Sequence, residues 1–297
     1  MTSVCAGPLN ASAELRLTKA RTTLGSFPII VRDSGRSPPH TDWVSYNVKK
    51  SGYWEVSDID EVRWLTSAYD WPSSLHLASD EKGLFIDLAA HIGWYSFAFA
   101  QANYSVLAIE PHPGNLRAMK ATLCLNPKLD KRITLVPKAI AKEARENQSC
   151  GLYTWASGGA DGNGRLICTG HDRACHHTHQ HCPNAMRRAQ SCDCVSVPLT
   201  TLDRVLSKHL PNGREDFDII VLKLDMEGLE CEALESGESI FTRFNVDLIQ
   251  YEGFHPATRD CVQAAARRHR YRIGSRLGTN DLNAAIWRTK KSRGKGP

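Results

Sequence analysis

"GLFIDLAAHIGWYSFAFA", residues 83–100, is an apolar run broken by one aspartate, then by a histidine and a glycine, before a second apolar run begins. A short run with no polar alternation reads as a strand buried on both faces, and the second run reads as a short helix. The turn between them is Leu88-Ala89-Ala90-His91-Ile92-Gly93. Where a ligand must approach the backbone, such a turn favours glycine and small residues.

The same alternation continues outward. "SVLAIE" is predicted as a strand, "GNLRAMKATLCLN" as a helix with Leu116, Met119 and Leu123 on one face, and "RITLVPKAI" as a strand. Later, "TTLDRVLSKHL" reads as a helix with Leu202, Val205, Leu206 and Leu210 inward, where Thr200 and Asp203 have capping-box spacing. "FDIIVLKLD", "GLECEALES" and "VDLIQYE" follow as strand, helix and strand. Strands alternating with helices of 3.6 period predict an α/β fold, a parallel sheet with helices on both faces. Ligands of such sheets bind at the carboxyl ends of the strands.

Residues 1–80 are expected as an N-terminal arm and helical cover: 1 to about 50 are weakly patterned and read as an arm with one helix, and 53–80 carry a helical pattern. Within them, Val62, Leu65 and Ala68 have helical spacing, as a cover over a pocket or packing on the sheet. Residues 81–290 are expected to form the main domain and 291–297 a basic tail. At 41% hydrophobic and 23% charged, the composition is that of a soluble globular protein. No apolar run reaches the roughly 18–20 residues of a membrane span. The net charge of +5 equals the five basic residues of the last ten, which leaves the body near neutral and argues against a nucleic-acid partner.

Asp87 ends the first strand and Glu110 the next, 23 residues on. A pyrophosphate-binding turn would need G-x-G-x-x-G, and here only Gly93 is present. That counts against an NAD(P)-linked enzyme. A ligand without phosphate, carrying a cationic amino-acid end for Asp87 and ribose hydroxyls for the paired acceptors of Glu110, suggests S-adenosyl-L-methionine. Lys223, Asp225 and Glu227 in "LKLDMEG" alternate along the end of a later strand, where one carboxylate can serve as base beside a charged neighbour. Alternatively they form an ion pair that fixes the strand end. Gly228 opens the helix that follows, and Glu230 reads as a favourable first-turn charge. Glu252 and His255, in "QYEGFHP", end the next strand and are candidates for the acceptor pocket.

"FIDLAAHIGWYS", "LAIEPHPGNLRAMKATLCLN", "VPKAIAKE", "TTLDRVL" and "IVLKLDMEGLECEALESG" occur in that order between about residues 83 and 254. Together they resemble the FkbM family of S-adenosylmethionine-dependent methyltransferases. The resemblance implies the Rossmann-like, seven-stranded methyltransferase sheet and methyl transfer to hydroxyl groups, often on sugars. It places Asp87, Ala89, His91 and Gly93 in the cofactor turn, Glu110 on the ribose, and Lys138 and Ala139 where adenine would stack. The family's turn usually reads D-x-G-A-N-x-G; this chain has Ala89 for the first glycine and His91 for the asparagine. Alanine there is harmless if its φ is negative. Those two departures also keep open a non-catalytic nucleotide-binding module.

From Cys150 to Cys194 the periodicity stops, and six of the ten cysteines fall there among five histidines, His171, His176, His177, His179 and His181. The segment reads as an insertion, a stabilising attachment that could reach over the acceptor pocket and not the chemical centre. Disulfides, zinc and free thiols all remain open; no tight C-x₂-C knuckle is present. N-x-S sequons stand at Asn10, Asn103 and Asn147. The N-terminus lacks an apolar signal region, so the chain as it stands reads as cytoplasmic; a secretory lumen is the expectation if that end is incomplete. The acceptor and the oligomeric state are not specified by any motif.

Overall fold

A computed structural model describes residues 15–22, 24–33, 42–55, 82–142, 148–155, 164–168, 175, 192–253, 256–274 and 283–288. In chain order, β1 (Leu15–Thr22) and β2 (Gly25–Arg32) form an antiparallel hairpin and α1 (Trp43–Ser51) follows. Asp42 caps α1 by accepting the Ser45 N–H at 2.7 Å, and Gly52 ends it with φ 89°. β3 (Gly83–Leu88), α2 (Trp94–Gln101), β4 (Ser105–Ile109), α3 (Pro113–Leu125), α4 (Pro127–Asp130) and β5 (Ile133–Val136) come next. Then come β6 (Ala139–Ile140), β7 (Ser149–Trp155), β8 (Arg165–Ile167), β9 (Cys192–Thr200) and α5 (Leu202–His209). The chain continues through a 3₁₀ turn (Gly213–Asp216), β10 (Ile219–Leu224), α6 (Glu230–Glu235), α7 (Ser239–Thr242) and β11 (Leu248–Glu252). α8 (Pro256–Arg268), β12 (Arg272–Ile273) and β13 (Asn283–Trp287) end it.

The main sheet has seven strands in the order β12-β13-β11-β10-β3-β4-β5. β11, β10, β3, β4 and β5 run parallel, and β13 is antiparallel to both neighbours. This is the expected α/β sheet. From β3 the chain steps outward to β4 and β5, then returns to lay β10 on the other side of β3. The strand order therefore reverses between β3 and β10, and their carboxyl ends open the crevice where such sheets bind ligands.

Side-chain alternation explains why β3 is buried at every position. Phe85 and its neighbours Val106, Ala108 and Val221 pack with α2 and the β1–β2 hairpin, and Phe85 stacks on Phe99 with centroids 3.7 Å apart. Leu84, Ile86 and Leu88 face the other way, with Leu107, Ile109, Leu222 and the apolar side of α5 to α8. With both faces covered, no strand position is left for a polar outward residue. Asp87 shares the parity of Phe85 and is the exception.

Several expectations change. The arm carries a hairpin as well as a helix. Its buried positions Phe27, Ile29, Ile30 and Val31 run almost consecutively, so it lacks the two-residue alternation that marks a half-exposed strand. Val62, Leu65 and Ala68 lie outside the described residues. "RITLVPKAI" divides at Pro137, which supplies no N–H to a ladder, into β5 and β6, and these belong to different sheets. The cap of α5 is Thr201, accepting the Arg204 N–H at 3.3 Å, while Asp203 accepts the Ser239 N–H at 3.1 Å. Glu230 is fully buried: it accepts from the backbone N–H groups of Met226 (2.8 Å) and Gly228 (3.3 Å) and from the Thr258 hydroxyl (2.9 Å). It ties the turn after β10 to α8, which is more than a first-turn charge does.

β7 and β8 fall in the cysteine-rich stretch and β9 starts at its end; the three form a four-stranded sheet with β6, in the order β6-β9-β7-β8. Cys150 bonds to Cys168 and Cys175 to Cys194 within it; Cys231 bonds to Cys261 between α6 and α8. Cys124 and Cys192 are also disulfide-bonded, so no cysteine among the described residues is free. Among those residues no group of three or more His, Cys, Asp or Glu side chains is placed to hold a metal, and the five histidines of the stretch lie outside them.

Candidate active site

A cavity of about 190 Å³ opens at the carboxyl ends of β3, β4, β10 and β11. Of the residues expected to bind cofactor or to act on the acceptor, Ala89, His91, Glu110, Lys138, Ala139, Lys223, Asp225, Glu227 and Glu252 line it; Asp87, Gly93 and His255 do not. Asp87 lies behind the wall, 1% exposed, accepting the Ser96 hydroxyl at 2.6 Å. It stands directly opposite Lys223 in the β3–β10 register, and Lys223 Nζ is 3.9 Å from Asp87 Oδ1. Gly93 caps α2 at φ 83°, and a Cβ there would come within 2.7 Å of Phe97 and 2.9 Å of the Met119 methyl. His255 lies outside the described residues.

One end of the cavity is built around Glu110. The carboxylate accepts the His91 and His112 N–H groups, both at 2.7 Å, and the Asn115 side-chain amide at 3.3 Å. Burial raises its pKa to about 7, with His91 and these donors pulling the other way. A carboxylate has about four acceptor positions, so Glu110 keeps capacity for a further donor from the cavity. His112 Nδ1 accepts the N–H groups of Gly114 and Asn115 and thereby caps α3. Burial, aided by Arg32 and His91, pushes its pKa down to about 3, so it stays neutral in that role. Lys138, Ala139 and Ile140 continue this wall.

The other end is acidic. Lys223 Nζ lies 2.9 Å from Asp225 Oδ2 and 5.2 Å above the Tyr95 ring. Burial alone would lower the pKa of Lys223; Asp225 and Asp87 outweigh it, so the lysine stays charged. Glu227 lies in the turn after β10, and its pKa rises to about 7 through burial and then the charges of Asp225 and Glu230. Glu252 ends β11. Burial, then Asp225 and Glu227, raise its pKa to about 9, and its Oε2 is buried without a hydrogen-bond partner.

Backbone strain gathers here. Seven non-glycine residues among those described have positive φ, and four of them line the cavity: Glu55 (54°), Ala89 (57°), His91 (57°) and Glu227 (55°). The left-handed region costs an L-residue roughly 1–2 kcal/mol. Such outliers gather at sites where geometry serves function. For Ala89 this overturns the condition of negative φ set above. The turn keeps the conformation that a glycine would hold, and alanine carries the strain.

The methyltransferase FkbM domain matches residues 87–273, more than half of the chain. The chain belongs to the methyltransferase FkbM family. That span of the family domain contains nearly the whole cavity, from the turn after β3 to Glu252. No curated protein matches significantly. Among solved structures the chain is similar to the precorrin-6y C5,15-methyltransferase of Geobacter metallireducens, at 12% identity, over 77% of this chain and 88% of that one, with a TM-score of 0.38. It is also similar to a human methyltransferase 10 domain containing protein (8%, 76% and 81%, TM-score 0.41). A ribosomal protein L11 methylase of Lactobacillus delbrueckii subsp. bulgaricus is a third (12%, 71% and 72%, TM-score 0.36).

Several lining residues of this FkbM domain chain carry no sequence signal. Val44, Trp54 and Glu55 come from the N-terminal arm, and Leu152, Gly164 and Leu166 from the β7–β8 hairpin. Trp94 and Tyr95 had a positional one, since they start the helix after the ligand turn. Tyr95 donates its hydroxyl to Glu55 at 2.9 Å, and Trp94 Nε1 is buried without a partner.

Proposed function

We propose that this protein transfers the methyl group of S-adenosyl-L-methionine to a hydroxyl of a small acceptor, a sugar or a related compound. The observation that carries the reading is one cavity with Glu110 and Ala89–His91 of the turn at one end and Lys223, Asp225, Glu227 and Glu252 at the other. The residues fit such a cofactor. Glu110 offers a buried acceptor for ribose hydroxyls, Ala139 and Ile140 offer an apolar surface for a base, and the acidic end suits a cationic group. Asp87 would act from behind, holding Ser96 and Lys223. The cofactor, when bound, supplies an activated methyl group.

The protein's part is alignment and proton removal. Lys223 and Asp225 neutralise one another, which leaves Glu227 as the general base. Its pKa near 7 matches a working pH near neutrality. Glu252, near 9, stays protonated and donates a hydrogen bond to an acceptor oxygen. Calorimetric titration with S-adenosylhomocysteine, followed by labelled methyl transfer to a panel of sugars and small alcohols, tests the reading. Absence of binding would sink it.

The disulfides among the described residues support folding in an oxidising compartment, the secretory lumen that the sequence left open. No described helix is long and apolar enough to cross a membrane. Asn103 is exposed in the turn before β4, at the end of the sheet away from the cavity, and can accept a glycan there. Mass spectrometry of secreted protein before and after glycosidase checks both points; a fully reduced chain refutes the compartment.

A further inference from the structure

The β7–β8 hairpin reaches the cavity through Leu152, Gly164 and Leu166. Leu152 and Leu166 are direct cross-strand partners. Continuing that antiparallel register from the Gly151–Ile167 pair brings Cys150 opposite Cys168, and these two are disulfide-bonded. Because side chains alternate along a strand, Cys150 and Leu152 share one face of the hairpin, as do Leu166 and Cys168. The disulfide is thus the next rung after the pair that touches the cavity.

This face is packed. Cys150 and Leu152 belong to one apolar cluster with Ala139, Ala141, Val197 and Leu199, against which Leu166 and Cys168 rest. Ala139 lines the cavity beside them. Gly164 is tight for the same reason: a Cβ there would lie 2.7 Å from Leu152 Cδ1. The Cys175–Cys194 disulfide lies on the other face of this sheet. Cys194 stands opposite Tyr153, whose side chain points away from that of Leu152.

We propose that the β7–β8 hairpin is the wall against which the ligand's base rests, and that the Cys150–Cys168 disulfide is the positioning element that holds Leu152 and Leu166 there. The proposal rests on the cofactor reading above. It makes ligand affinity depend on the oxidised hairpin. A β8 of only three residues has few ladder hydrogen bonds to hold it without the cross-link.

The test is titration with S-adenosylhomocysteine and with adenosine. The double variant Cys150→Ala/Cys168→Ala is expected to lose about tenfold in affinity for both, because the wall meets the base. The control Cys175→Ala/Cys194→Ala, which opens a loop of similar length on the opposite face, is expected to stay within about twofold. Gly164→Val in the fully disulfide-bonded protein, which displaces Leu152 directly, is expected to match the first variant and decides the matter if that variant does not fold. Wild-type protein that binds neither compound refutes the cofactor reading and this proposal with it. Wild-type binding, with equal affinities in both double variants or with an unchanged Gly164→Val, overturns the hairpin's role alone.

Discussion

His91 Nε2 lies 3.0 Å from Asp42 Oδ2, so the turn that opens the cavity is pinned to the N-cap of α1 in the arm. Burial opposes charge on both groups, but their mutual attraction wins: Asp42 is held below its ordinary pKa and His91 above. Glu110 reinforces the shift of His91 and Arg32 opposes it. The pair's contribution is complete below the ordinary histidine pKa of about 6.5 and is lost as pH rises through the raised value of His91. At the acid end it is lost as pH falls through the lowered pKa of Asp42. Asp42→Asn keeps a capping oxygen for Ser45 and removes the charge. It is expected to lower stability by about 1–3 kcal/mol at pH 6 and to flatten the decline above 6.5, as read by urea melts across pH. An unchanged pH profile would refute the pairing.

Ala89 holds φ 57° beside the cavity. Glycine would release roughly 1–2 kcal/mol of left-handed strain and give back part of it in unfolded-state entropy. Ala89→Gly is therefore expected to stabilise the protein by up to about 1 kcal/mol in a denaturant melt, without loss of S-adenosylhomocysteine affinity. A destabilised Ala89→Gly protein would mean that the methyl group earns more by packing than the backbone loses.

Glu110 organises three donors from two turns and a helix. Glu110→Ala removes an acceptor from donors that remain buried. It is expected to weaken S-adenosylhomocysteine binding by about 1–3 kcal/mol, roughly 5- to 150-fold. Equal affinity in a folded variant, measured by calorimetry, would remove Glu110 from the ligand site.

How far the sequence could be read depended on the range of the forces involved. β3, β4, β10 and β11 are buried on both faces by the helices that follow them, so local hydrophobicity reports them directly. Glu110 and Glu227 were legible because acids at strand ends stand out against such runs. The β1–β2 hairpin was not, since its inward face depends on α3: the Thr122 hydroxyl accepts the Ile30 N–H at 2.9 Å, 92 residues away. Glu55 and Leu152 were illegible for the same reason. An arm glutamate and a hairpin leucine become cavity residues only through partners distant in sequence. The Cys231–Cys261 link joins α6, legible as "GLECEALES", to α8, which no sequence pattern reported, across 30 residues.

Glu227 brings together left-handed backbone, partial burial and two acidic neighbours, and each bears on its role. It lines the cavity from the turn after β10 with φ 55°, a strained backbone of the kind that gathers at functional sites. Burial and the charges of Asp225 and Glu230 set its pKa to about 7, while Lys223 stays charged and occupied by Asp225. A carboxylate base must be ionised to accept the hydroxyl proton, so kcat is expected to rise with pH through about 7. It is expected to fall again as Glu252, near 9, loses the proton that it donates in a hydrogen bond. Glu227→Gln keeps the size and removes the base; turnover should drop about 10²–10⁴-fold, with S-adenosylhomocysteine affinity retained and the rise near pH 7 gone. Asp225→Asn breaks the partnership with Lys223 and should shift the rise toward lower pH, because one of the charges that raises the Glu227 pKa is gone and the lysine is freed to attract it. Near-normal turnover in Glu227→Gln, with the rise near pH 7 intact, would reduce Lys223, Asp225 and Glu227 to an ion-paired strand end.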